Sequence, residues 1–217
     1  MSELFDEVDE EVRREQLKKL WDKYSIYIVG LAFLIIAGVG GWRGYQYLEA
    51  KKAAEAGAAF NKAVELSEQG KSAEAEAAFA DLAAKAPGGY RSLARLRAAA
   101  EVVKRDPQAA AKMYDEVAAD RSVDATFQEL ARLRAAGLML DTTSYANMLQ
   151  RLQDSAAPGA TFRHSAREML ALSAWRNGDT TAARKWLEAI AEDGETPAGL
   201  RSRAEALQAL LPQVAKS

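Results

Sequence analysis

The chain has 217 residues, with 29 lysines and arginines against 31 aspartates and glutamates, a single histidine and no cysteine. A net charge of −2 leaves no basic excess for a nucleic-acid surface, and without cysteine there is neither a disulfide framework nor thiolate chemistry. Five prolines interrupt a composition rich in alanine, leucine, arginine and glutamate, all good helix formers, which predicts an all-α protein.

Residues 1–24 form an acidic tail. Leu4, Val8 and Val12 fall on one stripe and Leu17, Leu20, Trp21 and Tyr24 on another, both at helical spacing. Such an amphipathic tail either lies along a membrane surface or a partner, or is a solvated helix that only sets topology. Its acidic start is unlike the short basic region of a cleaved signal peptide.

Residues 25–47 are predicted to be a transmembrane helix. Ser25 to Trp42, SIYIVGLAFLIIAGVGGW, carries no charge, and at ~1.5 Å per residue it covers ~27 Å of a hydrocarbon layer of ~30 Å. Tyr24, Tyr27, Trp42, Tyr45 and Tyr47 cluster at its ends, where amphipathic rings favour the headgroup region. The alternative is a buried helix of a soluble core. Arg13, Arg14, Lys18, Lys19 and Lys23 precede the segment, against Arg43, Lys51 and Lys52 after it, which favours a cytoplasmic N-terminus and an uncleaved anchor. Ala37-x-x-x-Gly41 and Gly40-x-x-x-Gly44 place small residues on one face, a candidate surface for homo-oligomerisation or for docking on another membrane protein.

Residues 48–217 are predicted to be a helical repeat domain. The stretches QGKSAEAEAAFADL (69–82) and NGDTTAARKWLEAI (177–190) share a glycine, a small residue five positions later (Ala75, Ala183), and large apolar residues further on (Phe79 and Leu82, Leu187 and Ile190). Weaker copies place Ala110, Tyr114 and Val117 after Arg105, and Ala146, Leu149 and Leu152 after Asp141. Repeat starts at 70, 105, 141 and 178 give a period near the ~34 residues of paired-helix tetratricopeptide units, in which stacking supplies the core. The first helix of the first pair continues from the apolar segment to about Ser67. Further helices are predicted over 72–86, 90–104, 107–119, 124–140, 143–154, 161–177, 179–191 and 197–210. Pro87-Gly88-Gly89, Asp106-Pro107, Pro158-Gly159 and Thr196-Pro197 fall between helices. Thr196 is the expected N-cap of a final capping helix, with Pro197 at its first position.

Chemistry is sparse. His164 is the single histidine, and no H-E-x-x-H, G-x-S-x-G or phosphate-loop pattern occurs, so neither catalysis nor a metal or other cofactor is expected. Arg91 with Arg95, Gln128 with Arg132, and Arg163 with Arg167 each share a helix face. They recur with the repeat in the first helix of a pair, the helix that lines the concave face of a tetratricopeptide stack. These columns are a candidate groove for extended polypeptide or an acidic partner segment. The alternative is ordinary surface charge, paired with neighbours such as Glu101 and Glu129.

The order of parts resembles a known family. The tail EVRREQLKKLWDKYSIY, with Leu17, Lys18, Trp21 and Lys23, precedes the apolar helix, which ends in GWRGYQY with Gly41, Trp42, Arg43 and Tyr45. With the alanine-rich repeats that follow, the whole chain is similar to the YfgM-like family, ancillary subunits of the SecYEG translocon. Ser25 and Gly44 depart from that pattern. The resemblance implies a single-pass protein of the bacterial inner membrane with its repeat domain in the periplasm. It further implies association with SecYEG and a PpiD-like periplasmic chaperone near polypeptide clients. A membrane-tethered tetratricopeptide adaptor that assembles cell-envelope or cell-division complexes is the alternative role.

Overall fold

A computed structural model describes residues 3–212, with side chains described for 13–15 and from Leu17 onward. The tail stripe of Leu4, Val8 and Val12 lies outside the described side chains. Every regular element among the described residues is an α-helix: α1 (Glu3–Glu68), α2 (Ser72–Lys85), α3 (Gly88–Val102), α4 (Pro107–Ala119), α5 (Ala125–Met139), α6 (Tyr145–Leu152), α7 (Arg163–Arg176), α8 (Thr180–Ala191) and α9 (Ala198–Leu210). The chain divides into two compact units, Met1–Lys52 and Ala53–Ser217.

In the first unit, every large apolar side chain from Ile26 to Leu48 is exposed, so this chain offers the segment no covering core. It is the one stretch among the described residues long and apolar enough to cross a membrane, with a mean hydropathy of 2.0. Ala37, Gly40, Gly41 and Gly44 are exposed here, and nothing lies within 4 Å of a Cβ built on any of these three glycines. Trp42 and Tyr45 stand 6.3 Å apart at its exit.

The second unit is a stack of helix pairs. The last turns of α1 pack with α2 and α3 around Ala56, Ala63, Phe79 and Ala94. The next cluster joins α3, α4 and α5 through Ala99, Tyr114, Val117 and Ala135. A third joins α5, α6 and α7 through Leu133, Met148, Leu152 and Leu170. The last joins α7, α8 and α9 through Ala174, Leu187, Ile190 and Leu200. Each cluster thus belongs to neighbours in sequence, the mark of a quasi-one-dimensional repeat. Ala94, Ala131 and Ala166 are fully buried at corresponding points of α3, α5 and α7, and their small size lets the helix backbones come close. Tyr90 of α3 reaches so near Gly57 that a Cβ there would lie 2.8 Å from its hydroxyl oxygen.

The repeat register follows the turns. Gly70 (φ 76°) and Gly178 (φ 80°) supply the left-handed backbone of the tight turns before α2 and α8. Ala75, Phe79, Ala183, Leu187 and their counterparts Ala110 and Tyr114 are buried as the spacing predicts. Of the four repeat units, starting at 70, 105, 141 and 178, the third differs. The second repeat, with Arg105 at this turn, also lacks the glycine and stays in register. In the third, however, the chain leaves α5 through the longer Leu140–Thr143 turn, with Thr142 and Thr143 amides donating to the Met139 carbonyl. Ser144 then caps α6 by accepting from the Asn147 amide. The longer turn moves the buried series off Ala146, which is exposed, and Leu149, which is half-buried; Leu152 is buried as expected, and Met148 and Ser155 take the other interior positions. The final helix is also entered differently. Pro197 itself stands at the N-cap of α9, and the buried Thr196 hydroxyl donates to the Ile190 carbonyl at 2.7 Å, closing the end of α8 rather than opening α9.

Candidate binding site

The arginine columns sit where first helices meet the ends of second helices. An α-helix leaves its last four carbonyls without partners and gathers partial negative charge there. A guanidinium from a neighbouring helix answers both needs. Arg95 of α3 donates to the Glu116 carbonyl at 3.3 Å and to Asp120, just past α4, at 2.6 Å. Arg167 of α7 does the same one pair later but one, donating to the Ala189 carbonyl at 3.0 Å and to Asp193 at 2.9 Å. Its Nε–H goes to the Ala156 carbonyl at 3.1 Å.

In the other column Arg91 and Gln128 tie back to the preceding loop, while Arg163 reaches forward past α8. Arg91 donates to the Ala86 carbonyl at 3.3 Å, and Gln128 donates to the Asp120 and Val123 carbonyls at 3.0 and 2.7 Å. Arg163 donates from Nε to Asp193 at 2.7 Å and also reaches Glu195. Most donors of the two columns are therefore held within the chain. Their partners are Asp120, Asp193 and helix-end carbonyls, whereas Glu101 accepts from Ser67 and Glu129 carries a buried oxygen without a hydrogen-bond partner.

These contacts set the local electrostatics. The Ser122 hydroxyl and amide, then Arg95, hold the Asp120 carboxyl at about 2 against an ordinary 3.8. Arg163, the Glu195 amide and Arg167 hold Asp193 well below the usual carboxylate range. His164 Nε2 lies 3.2 Å from the same Asp193 oxygen. The single histidine thus sits beside the Arg163–Asp193–Arg167 ion cluster, its buried Nε2 without a hydrogen-bond partner, and among the described residues no group of His, Asp or Glu side chains could hold a metal.

Arg132 departs from the pattern. It is half-buried and lines a cleft of about 750 Å³ between α4 and α6, with Asp115, Asn147, Gln150, Arg151 and Asp154 on the walls. Arg151 is taken by Asp115 in a two-pronged pair, one bond at 3.2 Å. Of the candidate columns, the cleft receives Arg132 alone.

A stack of helix pairs with a polar cleft defines a class: repeat scaffolds, typically non-catalytic, that present surfaces to other polypeptides. The tetratricopeptide repeat-like domain family matches residues 18–209, and the chain belongs to that family. The matched region takes in the apolar segment as well as every helix pair. No curated protein and no solved structure matches the chain at a significant level.

Proposed function

We propose that the chain is a membrane-anchored scaffold that binds polypeptides through its helix-pair stack and carries out no catalysis. The observation that carries this reading is the exposed apolar run Ile26–Leu48 lying within the same family match as the repeats. Burying that run in a bilayer satisfies its side chains, and α-helical hydrogen bonding satisfies its backbone. An anchor then raises the effective concentration of the repeat domain for any partner in the same membrane.

The finer reading follows the resemblance to the YfgM-like family. The N-terminus is cytoplasmic, the repeat domain periplasmic, and the partners are the SecYEG translocon, a PpiD-like chaperone and emerging clients. The small face of Ala37, Gly40, Gly41 and Gly44 is the surface for helix contact in the membrane.

Single cysteines test compartment first, because the chain has none of its own. Arg14→Cys and Ser202→Cys occupy exposed positions. A membrane-impermeant thiol reagent applied to intact cells is expected to label position 202 and spare 14. The reverse pattern removes the periplasmic reading. Photoreactive residues at 37 and 41 in growing cells are then expected to crosslink translocon subunits. Correct topology without such crosslinks would leave the envelope-adaptor role in its place.

A further inference from the structure

In the column Arg95, Arg132 and Arg167, the guanidinium meets an aspartate of the chain in the second and fourth repeats and none in the third. Asp120 stands fourteen residues after the N-cap Asp106 and accepts from Arg95; Asp193 stands fourteen after the N-cap Asp179 and accepts from Arg167. In the third unit the N-cap is Ser144, and the residue fourteen positions on is Pro158. Proline has no carboxylate. Helix α6 also stops at Leu152, well short of the length of α4 and α8, which leaves the cleft open beside Arg132. No carboxylate or carbonyl among the described residues bonds to Arg132 or pairs with it.

We propose that Arg132 and the cleft between α4 and α6 bind a carboxylate supplied by another polypeptide, in the place that an aspartate of the chain itself fills in the second and fourth units. The chain thereby shows twice, within itself, the geometry that the ligand completes: a carboxylate oxygen 2.6 or 2.9 Å from an arginine terminal nitrogen, beside the end of a second helix. The Asn147 and Gln150 amides on the wall of the cleft are donors and acceptors suited to peptide backbone. Asp115 does not compete for Arg132, because Arg151 holds it. Asp154 lies exposed on the rim without a side-chain partner among the described residues, and an incoming carboxylate must displace its weak, solvated attraction to the guanidinium. The inference rests on the scaffold reading above and adds the chemistry of one site.

The test uses the full chain in detergent and a short fluorescent peptide with blocked ends, built of alanine and serine around one glutamate. Its glutamine twin, the same neutral peptide with an unblocked C-terminus, and free succinate separate a side-chain carboxylate from a terminal one and from a small diacid. The glutamate peptide is expected to bind at least about tenfold more tightly than its twin, as loss of a charge-assisted contact predicts. Arg132→Gln is expected to erase that difference with little change in thermal stability, since Arg132 makes no hydrogen bond or ion pair among the described residues and glutamine keeps part of its half-buried stem. Pro158→Asp is expected to erase it too, by supplying the missing carboxylate in cis; the following Gly159, at φ 84°, makes an Asp-Gly turn there. Asp154→Asn is expected to tighten binding.

Equal binding of glutamate and glutamine peptides, or no effect of Arg132→Gln, overturns the site. So does a shared loss of stability in Arg132→Gln, Asp154→Asn and the double variant, which would mean that Asp154 already fills the position. Preference for the unblocked C-terminus alone overturns the side-chain form. If Arg132→Gln leaves the glutamate preference intact while partners are still captured through positions 37 and 41, the site falls and the scaffold reading stands. If the unaltered chain captures neither peptide nor partner, both fall.

Discussion

Arg167 and Asp193 meet at 2.9 Å, and the arginine is the more deeply buried of the two, with 6% of its surface exposed. That inversion of the usual surface pair follows from what else the guanidinium holds. It closes the Ala156 and Ala189 carbonyls, so it serves as a shared terminus for the loop after α6 and the end of α8.

Replacing Arg167 with methionine keeps much of the side chain's bulk and strands both carbonyls. Unsatisfied buried acceptors cost about 1–3 kcal/mol, so Arg167→Met is expected to lower stability by that order. Urea unfolding of the full chain in detergent measures it. An unchanged midpoint would show that water replaces the guanidinium at no cost.

Acid should loosen the same region. A carboxyl whose pKa is depressed on folding contributes stability above its unfolded value, and that contribution disappears as pH falls through the folded value. For Asp120 the window runs from an ordinary 3.8 down to about 2, and Asp193 is shifted in the same direction. Stability is therefore expected to fall between about pH 4 and about pH 2. Asp193→Asn should be less stable near neutrality and flatter across that window. A parallel pair of pH curves for the variant and the unaltered chain would rule out this linkage.

Phe79 is fully buried, with its ring 5.3 Å from that of Phe60. Phe79→Ala opens a cavity and is expected to cost about 3–5 kcal/mol. Because its cluster is built from the end of α1, α2 and α3, with Met113 of α4 packed against it, amide exchange should speed up there and stay slow in α7 to α9. Uniform loss of protection would mean that the stack unfolds as one unit.

Gly57 and Tyr90 give a test of close packing. Alanine in a helix interior gains about 1 kcal/mol over glycine, but here its Cβ would sit 2.8 Å from the Tyr90 hydroxyl oxygen and 3.3 Å from Cζ. Tyr90 also packs on Phe60, with ring centroids 6.0 Å apart, which limits its retreat. Gly57→Ala is expected to destabilise by about 1 kcal/mol, and Tyr90→Phe in the same chain to restore or exceed the original stability. Melting of the four members of this cycle decides it, and additive effects would show that the ring moves aside freely.

Much of the helical order is legible in the sequence because local and distant demands agree. Proline, glycine and aspartate interrupt runs of helix formers at the places where helices must turn, and the glycines at 70 and 178 mark two repeat starts. The second repeat keeps its register with Arg105 in place of the glycine, and the period slips only where the turn is longer. The Leu140–Thr143 turn carries no comparable punctuation, so Ala146 looks like the small buried residue when Met148 fills that position.

The arginine columns are legible as columns, since Arg95, Arg132 and Arg167 keep step with the repeat. Their partners are not, because Asp120 and Asp193 come after the second helix, far beyond the reach of spacing rules within one helix. One signal was present in the sequence. An aspartate recurs fourteen residues after an N-cap aspartate in the second and fourth units, and proline replaces it in the third.

The serial arrangement of the four clusters also has a mechanical meaning. Helices far apart in the stack share no cluster, so strain applied at one end is passed along only through successive neighbours. A stack built this way is compliant, like a leaf spring made of thin plates. Any bending would be shared out as small rotations between successive helix pairs rather than concentrated at one hinge.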